Sequence, residues 1–259
     1  MGMLLAIAGY ADTGRHLIIS QDMCAYSGAL SAKTDYFRAS CFLLFERELL
    51  HNRGVKKKYI RYIIGIDEVG RGPLAGPVAV CALAATPHML KHFRGIKDSK
   101  QLSEAQREEW LRLIKLHRGD ELRFAVSMVS AKEIDAHGIT LAIRKALASS
   151  LAKLDINPSD CEVRLDGGLK APPQYKKQKT IIKGDEKESV IAMASIAAKV
   201  TRDRLMIRLD KKYAEYQLYG LAKNKGYGTA AHIFAIKRHG LSEIHRASFC
   251  KFLKQANKA

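Results

Sequence analysis

One stretch, IIGIDEVGRGPLAGPV at residues 63–78, decides the fold and the chemistry of this chain. Its apolar start predicts a buried β-strand, which ends in two adjacent carboxylates, Asp67 and Glu68. Charged side chains seldom lie at the end of a buried strand unless they bind something, and Mg²⁺ prefers clustered carboxylate oxygens. In a continuing strand the two side chains point to opposite faces, whereas a turn would bring them together. The stretch predicts a metal site; the alternative is an acidic strand end of no chemical interest.

The turn that follows, Gly70-Arg71-Gly72, predicts an anion-binding loop beside the acids. Because glycine has no side chain, backbone N–H groups in such a turn can come close to a phosphate or a sugar. Arg71 adds a fixed positive charge. A tight turn without chemical function is the competing interpretation, and the presence of all these features in one short stretch disfavours it.

The composition indicates a basic protein with a polyanionic partner. The chain has 259 residues, an apolar content of 47% and a formal net charge of +18. Such an excess of positive charge favours nucleic acid. An anionic membrane is the rival partner, but no apolar run approaches the roughly 20 residues that span a bilayer. The five cysteines are scattered without a CxxC pair, which predicts reduced thiols and a cytoplasmic location.

The chain divides into three predicted parts. Residues 1–35 form an extension of unknown role with weak periodicity. Residues 36–59 comprise a lead-in helix, over Tyr36 to His51, and a basic linker. Residues 60–259 form the catalytic domain, which ends in a helical C-terminal region.

Within this domain, short apolar strands alternate with helices, which predicts an α/β fold with a mixed sheet flanked by helices. The predicted strands are Ile63–Ile66, Val78–Leu83, Phe124–Met128, Val163–Leu165 and Thr180–Ile182. The predicted helices are Ser103–His117, Ile139–Leu154, Ser189–Tyr213 and Thr229–Arg238. Ser103 and Gln106 have the spacing of a capping box at the first of these helices.

Two further acids follow predicted strands. Asp166 precedes Gly167-Gly168, and Asp185 follows Gly184. Taken singly, each is better explained as an Asx turn. Ligands of open α/β sheets gather at the carboxyl ends of strands, however, and four acids there could surround two divalent ions suited to phosphodiester hydrolysis. Six lysines on or just beyond the connecting segment could neutralise phosphates or could simply form a solvated loop: Lys170, Lys176, Lys177, Lys179, Lys183 and Lys187.

The chain resembles ribonuclease HII, the bacterial type 2 ribonuclease H, from about Leu44 to Phe249. The signature GIDEVGRGPLAGPV at residues 65–78 carries the resemblance. Further motifs follow in the family's order: DSKQLS (98–103), KGD (183–185), ASIAAKVTRDR (194–204), NKGYGT (224–229) and IHRASF (244–249). Ribonuclease HIII differs at the position of Arg71 and matches less well.

The resemblance implies an RNase H-like fold and catalysis with two Mg²⁺ or Mn²⁺ ions. It makes Asp67, Glu68, Asp166 and Asp185 the catalytic, metal-binding acids. It also assigns substrate binding to four residues. Gly70, Arg71 and Gly72 would bind the backbone and the 2′-hydroxyl of a ribonucleotide. Tyr227 would stack on the sugar of the next, DNA-side nucleotide. Asn224 departs from the family pattern, since many members have His there, and this could alter a DNA contact modestly.

The implied substrates are RNA–DNA hybrids and duplex DNA that contains single ribonucleotides. The implied cut falls 5′ of the ribonucleotide and leaves 3′-hydroxyl and 5′-phosphate ends, and the chain is expected to act as a monomer without a membrane. Two other functions are weaker alternatives. A catalytically dead nucleic-acid-binding protein would be expected to lose acids, and a nuclease for DNA or structured RNA would not need the Gly70-Arg71-Gly72 turn.

Overall fold

A computed structural model describes residues 62–96 and 99–255 of the chain. The predicted helix over Tyr36 to His51, the two predicted parts before residue 60 and Asp98 of the DSKQLS motif lie outside the described residues. The predicted division into three parts therefore stays a prediction.

The core of the fold is a five-stranded mixed sheet with strand order β3-β2-β1-β4-β5. Neighbours β1–β2 and β2–β3 are antiparallel, whereas β1–β4 and β4–β5 are parallel. All five predicted strands are confirmed, with shifted ends. Their bounds are β1 Tyr62–Val69, β2 Val78–Ala85, β3 Leu122–Val129, β4 Cys161–Asp166 and β5 Gln178–Ile181.

The central strand β1 is longer than the apolar run predicts. It continues through Asp67 and Glu68 to Val69, because the antiparallel ladder with β2 extends to the pair Val69 and Ala79. Of the two alternatives, the continuing strand is therefore the correct one, and no turn at this point brings the two carboxylates together. Asp67 is buried, and Glu68, on the opposite side of the pleat, is partly buried.

Helices cover both faces of the sheet, and the C-terminal part is helical, as predicted. The helices are α1 Pro87–His92, α2 Glu104–Leu116, α3 Ala131–His137, α4 Ile139–Ala152, α5 Gly184–Lys187, α6 Ser189–Lys212, α7 Ala214–Gln217, α8 Leu221–Asn224, α9 Ala230–His239 and α10 Phe252–Gln255. The predicted capping box is present, since Ser103 Oγ accepts from Gln106 N and Gln106 Oε1 accepts from Ser103 N. Within the described residues, no helix combines the length and the apolar character needed to cross a bilayer.

The strand β2 separates two hydrophobic cores. All eight residues of its sequence, VAVCALAA, are buried. Every second side chain, including Val80, packs towards α4, and the side chains between them, including Leu83, pack towards α2 and α6. A third, smaller core joins the end of α6 to the C-terminal helices. The sheet is thus buried on both faces, which leaves the ends of its strands for chemistry.

The long helix α6 lies directly on the central strand at Gly65. A Cβ atom on Gly65 would come within 2.2 Å of the carbonyl oxygen of Val190. The two backbones can be this close only because the strand has no side chain at that position. This contact fixes where the rest of α6 passes over the carboxyl end of β1.

Gly65→Ala should therefore destabilise the protein strongly. The added methyl group would meet helix backbone, which cannot move aside as a flexible side chain can, so we expect a loss of roughly 1–3 kcal/mol or more in the free energy of unfolding. Gly119→Ala is the matched control, since nothing lies within 4 Å of the position that its added methyl group would occupy. Urea unfolding of both variants measures the difference, and equal stabilities would contradict the close contact.

Candidate active site

Two of the predicted acids lie side by side at the carboxyl ends of the central parallel strands. The register between β1 and β4 ends with Ile66 opposite Leu165, and the next residues of the two strands are Asp67 and Asp166. Asp166 is the last residue of β4 and is followed by Gly167 in a left-handed conformation, with φ of 57°. The parallel pairing of these strands is what places two carboxylates at one edge of the sheet.

Asp67 is a buried carboxylate with little to stabilise its charge. Its Oδ1 accepts from the backbone N–H of Glu68 at 2.8 Å, and the Ser195 hydroxyl on α6 donates to its side chain. Burial, together with repulsion from Glu68 and Asp166, outweighs these bonds and raises the pKa of Asp67 to about 7. A cation close to this carboxylate would relieve the repulsion.

The other three acids each have a protein partner. Glu68 accepts from Arg71 at 3.1 Å, and Asp166 Oδ1 accepts from the backbone N–H of Gly184 at 2.6 Å. Asp185 is buried and forms an ion pair with Lys100, with Nζ 3.1 Å from Oδ2. Burial raises the pKa of Glu68 although Arg71 opposes the shift.

Asp185 differs in position from the sequence prediction. It does not end a strand but lies in the first turn of α5, four residues beyond the end of β5. The backbone enters that helix through Lys183 in a left-handed conformation, with φ of 54°. The Asp166–Gly184 hydrogen bond then ties the start of this helix to the end of β4.

The donor chemistry of this edge suits hard divalent cations, although the side chains are not gathered around one point. Among the described residues, no three His, Cys, Asp or Glu side chains lie close enough together to hold one ion. The acids that the sequence groups together offer only oxygen ligands, and burial and mutual repulsion raise the pKa of Asp67 and of Glu68. Glu68, Asp166 and Asp185 contact Arg71, Gly184 and Lys100, respectively.

The Gly70-Arg71-Gly72 turn is held from below by a buried arginine, Arg246. Its guanidinium donates to the carbonyl oxygens of Gly70 at 2.7 Å, Arg71 at 3.1 Å and Gly76 at 2.9 Å. Since a trans peptide directs its N–H away from its C=O, carbonyls that point inward leave the N–H groups of Arg71 and Gly72 pointing outward. The turn therefore presents backbone donors to solvent, as an anion site requires.

A second buried arginine, Arg202, supports the same segment. It donates to the carbonyl oxygens of Pro77 at 2.9 Å, Ala75 at 3.2 Å and Lys225 at 2.9 Å. Arg202 cannot reach a phosphate of a bound nucleic acid, because its side chain is fully buried. Burial lowers the pKa of Arg202 and that of Arg246, the latter to about 10. The neighbouring Lys199 forms a salt bridge with Asp203, with Nζ 2.9 Å from Oδ2.

Tyr227 projects from a loop that is fixed to the segment after the glycine turn. Its side chain is 39% exposed, with Lys199 Nζ at 5.5 Å and Arg202 Cζ at 5.8 Å from the ring centroid. The preceding Gly226 has φ of 85°, and its carbonyl accepts from Leu74 N at 2.8 Å. Tyr227 therefore lies in the same assembly as the Gly70-Arg71-Gly72 turn.

Asn224 has a structural part in this loop. Its Oδ1 accepts from Gly226 N at 2.8 Å, and its Nδ2 donates to the carbonyl of Tyr219 at 2.7 Å. Both ends of the amide are thus used inside the protein. Asn224 thereby ties together the loop that carries Tyr227.

Comparison with known proteins agrees with this arrangement of fold and acids. The profile of the Ribonuclease HII family matches residues 64–252. The chain belongs to the ribonuclease HII family. Members of this family act on RNA–DNA hybrids and depend on divalent metal ions, so the chain is a ribonuclease H, a hydrolase of RNA in such hybrids.

Individual relatives in the family cover most of the chain. Ribonuclease HII of Ruminiclostridium cellulolyticum is 44% identical over 218 residues, which cover 83% of this chain and 77% of the relative. Ribonuclease HII of Prochlorococcus marinus strain AS9601 is 44% identical over 191 residues, covering 73% and 89%.

Solved structures have the same fold. Ribonuclease H2 of Pyrococcus horikoshii OT3 has a TM-score of 0.60 at 27% identity, covering 76% of this chain and 100% of that one. The PCNA:RNase HII complex of Archaeoglobus fulgidus contains a chain with a TM-score of 0.57 at 25% identity, covering 73% and 94%. The predicted RNase H-like fold is thereby confirmed.

Several residues around the site were not assigned a role from the sequence. The hydroxyl of Ser195 contacts Asp67 and lies 2.8 Å from Ser99 Oγ. Lys100, Ser195 and Arg246 all lie within the family motifs. Their position in these motifs is the one feature of the sequence that could have indicated a role for them. Their partners are distant in the chain and follow only from the fold.

The raised pKa of Asp67 predicts how metal-free protein responds to pH. In the unfolded chain this carboxyl titrates near 3.9, whereas in the folded protein its pKa is about 7. Its contribution to stability is therefore greatest below about pH 4 and is lost as the pH rises through 7. Because asparagine cannot ionise, Asp67→Asn should stabilise EDTA-treated protein by roughly 2–4 kcal/mol at pH 8, and the gain should vanish near pH 4.

Thermal and urea unfolding at both pH values measures this effect. Asp120→Asn is the control, because the Asp120 side chain is 92% exposed. A gain for Asp67→Asn that is the same at both pH values would show that the carboxyl does not carry a buried charge.

Proposed function

We propose that this chain cuts RNA in RNA–DNA hybrids and also cuts 5′ of single ribonucleotides embedded in duplex DNA, leaving 3′-hydroxyl and 5′-phosphate ends. The observation that carries the proposal is the position of the acids: carboxylates at the ends of two adjacent parallel strands adjoin a turn that presents backbone N–H groups to solvent. A phosphodiester placed between them would meet both features.

We assign two Mg²⁺ or Mn²⁺ ions to the carboxylates of Asp67, Glu68, Asp166 and Asp185. Such ions would stabilise negative charge on the attacking and leaving oxygens of a phosphodiester. The protein's own contribution is to hold an all-oxygen donor set at the sheet edge. In this structure, Lys100 forms an ion pair with Asp185.

The Gly70-Arg71-Gly72 turn would recognise the ribonucleotide. The outward N–H groups of Arg71 and Gly72 are suited to phosphate or sugar oxygens, and Arg246 keeps them in that orientation. Any side chain at Gly70 would collide with Arg202, whose Nε lies 2.4 Å from the Cβ position. The 2′-hydroxyl is the group by which such a turn could distinguish a ribonucleotide from a deoxyribonucleotide.

Tyr227 would stack on the sugar of the following nucleotide. Its exposed ring lies beside two cations, which suits a site where a sugar meets a phosphate. Basic residues on the surface would bind the remaining phosphates without sequence preference; Lys170, Lys176 and Lys177 are exposed on the segment between β4 and β5. The interpretation of the chain as a cytoplasmic monomer stays a prediction.

Three labelled duplexes test the function: DNA with one ribonucleotide, the same DNA without it, and a long RNA–DNA hybrid. With Mg²⁺ or Mn²⁺, wild type should cut the first on the 5′ side of the ribonucleotide, cut the hybrid at many positions and leave plain DNA intact. EDTA should abolish all cutting. Cleavage of plain DNA would indicate a general nuclease, and tight binding without cleavage would indicate a catalytically dead binding protein.

Asp67→Asn should abolish cleavage in that assay while hybrid binding persists, because the substitution removes a charge but preserves size and fold. The same Asp120→Asn variant serves as the control. A near wild-type rate for Asp67→Asn would show that the acids are misassigned.

Tyr227→Ala should lower kcat/KM more for the single embedded ribonucleotide than for the long hybrid. The long hybrid offers no step from RNA to DNA for the ring to contact, whereas the embedded ribonucleotide offers one. A lost stacking contact corresponds to roughly a tenfold selective loss. Tyr213→Ala is the matched control, since Tyr213 is 38% exposed and lies 5.0 Å from a lysine, Lys212. Equal losses on both substrates would make Tyr227 a general binding residue.

A further inference from the structure

Two histidines, His232 and His245, are buried near the Tyr227 loop and outside the acidic site. His232 lies on α9 and has no exposed surface, while His245, on the segment that follows α9, is 4% exposed. Their ring centroids are 5.3 Å apart. No part of the proposed hydrolysis uses them.

A directed chain of hydrogen bonds runs through both rings. The backbone N–H of Ser242 donates to His245 Nδ1 at 3.0 Å, so the proton of His245 lies on Nε2. His245 Nε2 is 3.1 Å from His232 Nε2, which must therefore accept. The remaining nitrogen of His232, Nδ1, then carries the proton and donates to the carbonyl of Tyr227 at 2.9 Å. The fixed backbone donor at one end and the fixed carbonyl acceptor at the other allow one arrangement of protons.

The surroundings keep the pair neutral. The Tyr219 ring packs edge-on against His245, with centroids 4.6 Å apart, and the Ser242 hydroxyl lies 2.8 Å from His245 Nδ1. Burial lowers the pKa of both histidines, that of His245 to about 4. Within the part of the chain that the structure describes, neither ring forms an ion pair with a carboxylate.

The chain of bonds connects the two elements proposed to read the substrate. At one end it reaches the Tyr227 carbonyl. At the other end, the backbone of His245 forms a β-bridge with Ala75, and Arg246 N donates to the carbonyl of Leu74 at 2.7 Å. Leu74 and Ala75 belong to the segment that directly follows the Gly70-Arg71-Gly72 turn.

We propose that His232 and His245 are positioning residues whose hydrogen-bond chain sets the pose of the Tyr227 loop relative to the glycine turn, and thereby the preference for RNA-to-DNA steps. This inference rests on the role proposed for Tyr227. The histidines touch neither the substrate nor the acids in this scheme. They act by holding the Tyr227 backbone, so their loss should change selectivity rather than remove activity.

Nitrogen-15 NMR of the histidine rings tests the arrangement without any assay of activity. At pH 7, wild-type protein should show His232 protonated on Nδ1 only and His245 protonated on Nε2 only, with the signals assigned by single substitutions. Finding both rings in the same tautomer, or either ring charged, would overturn the proposed chain of bonds.

Two substitutions of His232 test the effect on selectivity. His232→Phe keeps an aromatic ring but removes both hydrogen bonds, and it should lower the ratio of kcat/KM for the embedded ribonucleotide to that for the long hybrid by roughly three- to tenfold. His232→Asn places an amide N–H near the position of Nδ1 and should recover much of the ratio. His239→Phe, an exposed position on the same helix, is the control.

The outcomes separate this inference from the proposed role of Tyr227. If Tyr227→Ala lowers the ratio and His232→Phe lowers only the melting temperature or both rates equally, the pair is structural and the inference fails. If His232→Phe lowers the ratio and Tyr227→Ala does not, the histidines act by a route other than the Tyr227 ring, and both the positioning role and the Tyr227 assignment fail. If neither variant changes the ratio, both fail.

Discussion

The close contact between helix α6 and the central strand at Gly65 is the constraint on which the site depends. With the start of the helix fixed there, its later turns pass over the functional elements in order. Four residues with the spacing i, i+4, i+7 and i+11 form one stripe of the helix. Ser195 contacts Asp67, and Lys199 and Arg202 lie beside the Tyr227 ring. Met206 packs against the glycines at positions 76 and 226. A rigid element with a rise of about 1.5 Å per residue thus sets the spacing between the acids and the substrate-facing loops. A bulkier residue at position 65 would shift the whole stripe.

The acids and the glycine turn impose opposite electrostatic demands within a few residues. Asp67 is buried beside other carboxylates, and burial together with their repulsion raises its pKa to about 7, so its charged form is disfavoured. Such strain at functional positions is common, because the groups are arranged for the reaction and not for the stability of the empty protein. The two cores on either side of the sheet provide the stability that makes this arrangement tolerable.

The sequence was sufficient to predict the five strands, the main helices and the family, because each depends on local periodicity or on a contiguous motif. The point at which β1 ends was not predictable in this way, since pairing with β2 carries the strand past its apolar run to Val69. Asp185 was predicted to lie at the end of a strand. It does follow β5, but a residue in the left-handed conformation and the start of a helix lie between the strand and the acid. The roles of Arg246 and of the histidine pair could not be predicted from local sequence patterns. Arg246 binds the carbonyl of Gly70, 176 residues away, and no local pattern reports such a contact.

The two buried arginines illustrate why the turn needs backbone partners instead of carboxylates beneath it. A buried guanidinium usually carries a carboxylate partner, which would cancel its charge. Here Arg246 and Arg202 bind carbonyl oxygens, and among the residues that the structure describes neither forms an ion pair with a carboxylate. The same bonds turn the peptides of the glycine loop so that their N–H groups face outward. In the proposed site, positive charge and oriented donors would therefore lie on one side of a bound phosphodiester and carboxylates on the other. If divalent ions bind the acidic edge as proposed, their positive charge would offset the charge of the carboxylates there. Metal binding and the binding of a phosphodiester would then support each other.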